Sequence, residues 1–114
     1  MKPNLHNNDI VLYKKNNIKL NYFDIVIVKV DNKLYVKRII GLPGDKVEFN
    51  KNKLFIDNKK IKEPFERNFT DDFSVTVENN KILVLGDNRP YSYDGRNFGT
   101  ISLNQVKGKM ILKI

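Results

Sequence analysis

The sequence predicts an all-β, mainly antiparallel domain with little helix, on three observations. Apolar residues recur with period two through most of the chain. The alternating runs are short and are separated by groups of two or three residues suited to tight turns: Asp31-Asn32, Asn50-Lys51-Asn52, Asp57-Asn58 and Asn79-Asn80. The 114 residues amount to one domain, residues 1–114, with room for a modest core.

In chain order, Asp9 to Tyr13 reads as a first short strand, followed by a polar connection from Lys14 to Leu20. Phe23 to Val30 alternates into a second strand, and Asp31-Asn32 turns it into Lys33 to Ile40. Leu42-Pro43-Gly44-Asp45 predicts a type II turn, with Pro presetting φ at the second position and Gly supplying the positive φ of the third. Lys46 to Phe49 and Leu54 to Asp57 form the next hairpin, and Asp57-Asn58 turns again towards Ile61. Glu63 to Asp72 lacks a period and reads as a loop, the part most free to move, with Phe65 and Phe69 tucked down. Ser74 to Glu78 and Lys81 to Leu85 flank Asn79-Asn80 as a further hairpin, a helical turn is expected near Ser102 to Gln105, and Val106 to Ile114 closes the sheet. Val26, Val28, Tyr35, Val36, Ile39, Leu54, Ile56, Val84 and Leu85 are the expected core or strand-face residues.

The chemically informative stretch is Tyr35 to Asp45. Extended geometry alternates faces, so Tyr35, Lys37 and Ile39 point one way while Val36, Arg38 and Ile40 point the other. A lysine between Tyr35 and Ile39 can be desolvated, which favours the neutral amine, a general base. Lowering a lysine from about 10.4 to about 7 takes about 4 to 5 kcal/mol, at the extreme of what burial supplies. Periodicity alone favours the other reading, a solvated lysine on an edge strand.

The balance of 21 Lys plus Arg against 13 Asp plus Glu gives +8, compatible with simple solvation, an anionic membrane surface or nucleic acid. The lysines are scattered in ones and twos without interleaved aromatics, which argues against a nucleic-acid patch. The longest apolar run, Ile25 to Val28, is far too short to span a bilayer, and no signal peptide is visible. There is no cysteine and the lone His6 reads as a loop residue, so neither a metal nor another cofactor is expected. Asn68-Phe69-Thr70 matches a glycosylation acceptor only at the level of a chance tripeptide.

Two motifs carry a resemblance. Val36-Lys37-Arg38-Ile39-Ile40-Gly41-Leu42-Pro43-Gly44-Asp45 resembles the lysine box of bacterial type I signal peptidases, and Gly86-Asp87-Asn88-Arg89-Pro90-Tyr91-Ser92-Tyr93-Asp94-Gly95-Arg96 resembles that family's last box. Met1-Lys2-Pro3-Asn4-Leu5, with Asp9-Ile10-Val11 shortly after it, resembles the segment on the C-terminal side of the family's catalytic serine, which places that serine one position ahead of Met1. The resemblance implies a serine-lysine dyad that cleaves signal peptides from exported preproteins at the extracytoplasmic face of the bacterial membrane. Lys37 is then the base and Ser92 its hydrogen-bonding partner, while Asp94 and Arg96 form a bracing ion pair that Arg38 joins. Met1, Leu5, Tyr35 and Val36 match the pocket that takes small residues at the first and third positions before the cut. The substrate is expected to bind as an added strand.

Read alone, Asp94 and Arg96 make an ordinary surface pair worth at most about 1 kcal/mol. In extended chain, Ser92, Asp94 and Arg96 share one side. Two departures from the family are Gly95, where serine is usual, and Asn4, where threonine is usual. The larger one concerns the nucleophile: none of Ser74, Ser92 and Ser102 is followed by Met-x-Pro, so this chain is expected to be inactive for want of the serine preceding Met1; the family's N-terminal membrane anchor is likewise not expected within these residues. Two other readings are a catalytically silent peptide-binding or scaffolding module and a self-cleaving repressor domain; the latter needs a DNA-binding segment and a cleavage loop, neither of which is evident.

Overall fold

The computed structural model describes residues 1–6, 8–16 and 18–113; Asn17 in the expected polar connection and Ile114 at the end of the closing strand lie outside the described residues. In chain order the strands are β1 Val11–Lys14, β2 Ile25–Val30, β3 Lys33–Gly41, β4 Lys46–Asn50, β5 Lys53–Ile56, β6 Lys59–Ile61, β7 Phe73–Thr76, β8 Lys81–Leu85, β9 Ile101–Ser102 and β10 Val106–Lys113. They form a six-stranded sheet of order β1-β10-β2-β3-β8-β9 and a four-stranded sheet of order β6-β5-β4-β7, with every neighbouring pair antiparallel. Among the described residues helix is confined to one turn, α1 Gly95–Phe98, and two 3-10 turns, Arg89–Tyr91 and Leu103–Gln105. The chain is all-β, as its periodicity predicts.

Three hairpins turn where the Asx-rich pairs predict. Asp31 and Asn32 hold φ of 50° and 68°, Lys51 and Asn52 51° and 69°, and Asp57 and Asn58 51° and 68°. Consecutive positive φ values produce the turn whose twist matches its flanking strands. Gly44 takes φ 89° in the predicted turn after β3, and the Asp45 carboxylate ties that turn down by accepting from the Leu42 N–H at 2.8 Å and the Tyr22 hydroxyl at 2.6 Å.

Two local expectations are corrected. Strands β7 and β8 do not form a hairpin: β7 pairs with β4, whereas β8 pairs with β3 and β9. Each strand's burial explains its place. Strand β7 alternates between half-buried and exposed residues and suits the margin of the small sheet, whereas Ile82 to Leu85 are all buried and belong in the interior of the large one. Phe69 is not tucked down; it is 61% exposed, while Phe65 is half-buried and packs 5.6 Å from the Phe23 ring. The loop from residue 63 to 72 is nevertheless fastened, with Arg67 donating to Glu63, Asn52 and Thr70.

Strands β3 and β8 serve both cores. Ile39, Ile82 and Val84 pack with Val26, Val28 and Ile101, while Ile40, Leu83 and Leu85 pack with Val47, Phe49, Leu54 and Val77. That double burial is why their sequences read as continuous apolar runs. Lys37 therefore stands on an interior strand rather than an edge strand. Pairing with β2 runs from Lys33 to Arg38, but pairing with β8 begins only at Arg38, so Lys33 to Lys37 are strand-paired along one edge alone.

Candidate active site

The site forms where the end of β3 meets the exit from β8. Arg38 lies opposite Leu85, so the antiparallel register brings Lys37 beside Gly86 and the segment beyond it. The alternation of β3 then sends two cations to opposite sides of this junction. Lys37 is 7% exposed and its Nζ lies 2.8 Å from Ser92 Oγ and 5.6 Å from the centre of the Tyr35 ring. Gly86 makes this approach possible: a Cβ there would lie 2.0 Å from Ser92 Oγ and 3.4 Å from Lys37 Nζ.

On the other side, Arg38 does not join Asp94 and Arg96 as the sequence suggests. Its Nε and Nη2 donate to the buried Asp87 carboxylate at 3.0 and 2.7 Å, its Nη1 donates to the Phe23 carbonyl at 2.9 Å, and its guanidinium lies 4.0 Å from the Phe65 ring centre. Asp87 also accepts from the Asn4 amide at 2.7 Å, which fastens the N-terminal segment to the junction.

Ser92, Asp94 and Arg96 are not strung along one extended segment. A 3-10 turn precedes Ser92, and Asp94 caps α1 by accepting from the Arg96 N–H at 3.0 Å. The Asp94–Arg96 ion pair forms all the same, at 2.8 Å, with Asp94 fully buried and also accepting from the Gly86 N–H at 2.9 Å. Arg96 Nη2 reaches on to the Arg89 carbonyl at 2.7 Å. Gly95 is required here, because a Cβ would lie 2.7 Å from the Val84 carbonyl oxygen.

Burial lowers the Lys37 amine from its ordinary 10.5; Asp94 opposes that shift and Arg96 adds to it. Burial alone would raise the Asp94 carboxyl, but the hydrogen bonds from Arg96 and from the backbone of Gly86, with the Arg96 charge, hold it below 3.8. A lysine made easier to deprotonate and held at hydrogen-bond distance from a hydroxyl can accept a proton from a nearby nucleophile. Met1, Leu5, Tyr35 and Val36, the four expected pocket positions, line one cavity of about 430 Å³ together with Lys37 and Ser92. A larger concavity of about 730 Å³ lies over the small sheet between Lys60 and Phe65 and contains neither Lys37 nor Ser92. Among the described residues no cluster of His, Cys, Asp and Glu could hold a metal ion, and no helix is long and apolar enough to cross a membrane.

The profile of the family described as signal peptidase, peptidase S26, matches residues 1–114. The chain belongs to this family. Signal peptidase I S of Bacillus subtilis is 40% identical, with 95% of this chain and 68% of that protein covered. Signal peptidase I of Bacillus caldolyticus is 34% identical, with 96% of this chain and 71% of that protein covered. The crystal structure of a signal peptidase I from Enterococcus faecalis superposes with a TM-score of 0.76 at 31% identity, covering 82% of this chain and 98% of that one.

Sequence reasoning missed part of this signal peptidase domain's site. Asp87 and Arg89 stand inside the last box, but their partners Arg38 and Glu63 are 49 and 26 residues away, so only the motif hinted at them. Arg89 is 2% exposed; it donates to the Gly86 carbonyl at 2.7 Å, Thr70 Oγ1 at 2.9 Å and Glu63 Oε2 at 2.8 Å.

Proposed function

We propose that this chain is the catalytic part of a signal peptidase I that removes signal peptides from exported preproteins at the extracytoplasmic face of the bacterial membrane. The observation that carries the reading is the buried Lys37 amine 2.8 Å from Ser92 Oγ at the end of the cavity that Met1, Leu5, Tyr35 and Val36 line. Lys37 is the general base and Ser92 orients it. Asp94 with Arg96 and, separately, Arg38 with Asp87 brace the two segments that meet there. The substrate adds as a strand along the open edge of residues 33 to 37, with small side chains entering the cavity.

The attacking hydroxyl belongs to a serine joined directly ahead of Met1. Met1 lines the same cavity as Lys37 and Ser92, which supports placing a residue attached at its nitrogen within reach of the base. In the reaction the neutral Lys37 amine takes the serine proton, the serine oxygen bonds to the scissile carbonyl carbon, and the ammonium returns its proton to the departing amine. Water then hydrolyses the acyl-enzyme with Lys37 again as base.

The test compares the 114-residue chain with a membrane-tethered form carrying that serine, on a peptide with Ala at the first and third positions before the bond. Turnover is expected only in the serine form and is lost on Lys37→Ala. Turnover by the 114-residue chain that vanishes on Ser92→Ala assigns the nucleophile to Ser92 instead. A serine form that folds but stays inactive shifts the assignment to a silent peptide-binding module.

A further inference from the structure

Ser92 lines two cavities. One is the 430 Å³ cavity of Tyr35, Val36 and Lys37; the other, about 450 Å³, runs past Pro90 and Arg96 to Phe69, Asp71 and Asp72. Ser92 is the residue their linings share. An extended peptide whose residues before the cut fill the first cavity has its scissile bond beside Lys37 and Ser92, and the second cavity is the concave surface available beyond them. Its volume falls within the range of ligand clefts, roughly 300–1,000 Å³.

The charge in this second groove is lopsided. Its two guanidiniums are each neutralised by a buried carboxylate, Arg96 by Asp94 and Arg89 by Glu63. Asp71 and Asp72 are exposed and, among the described residues, stand in no ion pair; Asp72 accepts one backbone bond, from the Lys51 N–H. Beside them the Phe69 ring is 61% exposed, unlike the other aromatics of its loop and strand, Phe65 and Phe73, which are half-buried. A carboxylate pair and the open face of an aromatic ring attract the same kind of group, a cation on a flexible apolar stem.

We propose that this groove receives the segment of the substrate on the C-terminal side of the scissile bond, and that Phe69 and Asp71 favour a basic side chain in its first residues. The inference rests on the peptidase reading above and deepens it: the cavity at Tyr35 and Val36 selects small residues before the cut, and the groove at Phe69 and Asp71 selects charge after it. An acidic residue placed after the bond meets two carboxylates and is disfavoured.

The test is an NMR titration of the isotopically labelled 114-residue chain with two peptides. They share Ala at the first and third positions before the bond and differ only in the second residue after it, Lys or Glu. Both peptides are expected to shift the Tyr35 and Val36 amides. The Lys peptide also shifts the amides of Phe69 and Asp71 and binds about threefold more tightly at low salt, and the difference shrinks as salt screens the carboxylates. The double variant Phe69→Ala, Asp71→Asn is expected to erase the Lys-over-Glu difference. Shifts at Tyr35 and Val36 with none at Phe69 or Asp71 overturn this inference and leave the peptidase reading standing; shifts at neither overturn both. A Lys preference that survives the double variant likewise overturns it, because its source lies elsewhere.

Discussion

Lys37 can serve as a base only while it stays dry and hydrogen-bonded, and its immediate neighbours decide both. Gly86 leaves the space through which Ser92 reaches it, so Gly86→Ala must displace Ser92 or Lys37. We expect that variant to fold and to lose about 100-fold or more in kcat/KM, the scale of a misplaced general base, measured in the serine-bearing form. Unchanged activity would remove Ser92 from the orienting role. The pH profile tests the base itself. In the proposed mechanism the neutral amine is the working form, so the rate is expected to rise with pH through the Lys37 pKa, which burial sets below 10.5. Asp94 opposes that lowering, so Asp94→Asn moves the rise to lower pH; Arg96 supports it, so Arg96→Gln moves the rise to higher pH. The opposite directions separate charge from simple loss of packing. Strand alternation alone favoured a solvated lysine; the resemblance of residues 36 to 45 to a lysine box made Lys37 legible in the sequence. The need for glycine at position 86 was not, because it depends on a register between segments 49 residues apart.

Among the elements, the loop from residue 63 to 72 and the last box are clamped by one buried cation. Arg89 holds Gly86, Thr70 and Glu63 at once, and Arg96 in turn holds the Arg89 carbonyl. Removing one member of a buried ion pair leaves the other charge uncompensated and costs about 3–5 kcal/mol. Glu63→Gln should therefore lower the unfolding free energy by about 3 kcal/mol in denaturant titration, with part recovered in Glu63→Gln, Arg89→Met. A loss no larger than an exposed pair gives, below about 1 kcal/mol, would mean that water reaches the clamp. The hairpin turns were legible because Asx residues at positive φ act locally. The misplaced pairing of β7 with β8 has a different origin. Asn79-Asn80 does mark a turn, with the Lys81 N–H donating to the Glu78 carbonyl at 3.2 Å, but the chain has crossed between sheets by then. Val77 still exchanges bonds with the turn after β3, accepting from Gly44 and donating to Asp45, so β7 is committed to β4 before that turn begins. Turn chemistry specifies a reversal; burial on both faces of β8 chooses its partner.

At the scale of the whole molecule, β3 and β8 form the wall between the two cores, and the same two strands end in the candidate active site. Ile39 and Ile40 are adjacent in sequence and both fully buried, yet they face different cores. If the sheets were independently stable, Ile39→Ala would weaken the large sheet alone and Ile40→Ala the small one. A shared wall couples them: each truncation leaves a cavity against a strand that both cores need, at a cost of about 2–5 kcal/mol. We therefore expect each variant to lower the midpoint of a single transition, with amides in β2 and in β4 losing protection together in hydrogen exchange. The Lys37–Ser92 bond should be lost in that same transition, since Lys37 rides on β3 and the segment carrying Ser92 leaves from β8. Protection that survives in β4 after it is lost in β2 would show two separable units, and the site would then owe its geometry to the large sheet and the Arg89 clamp rather than to both cores.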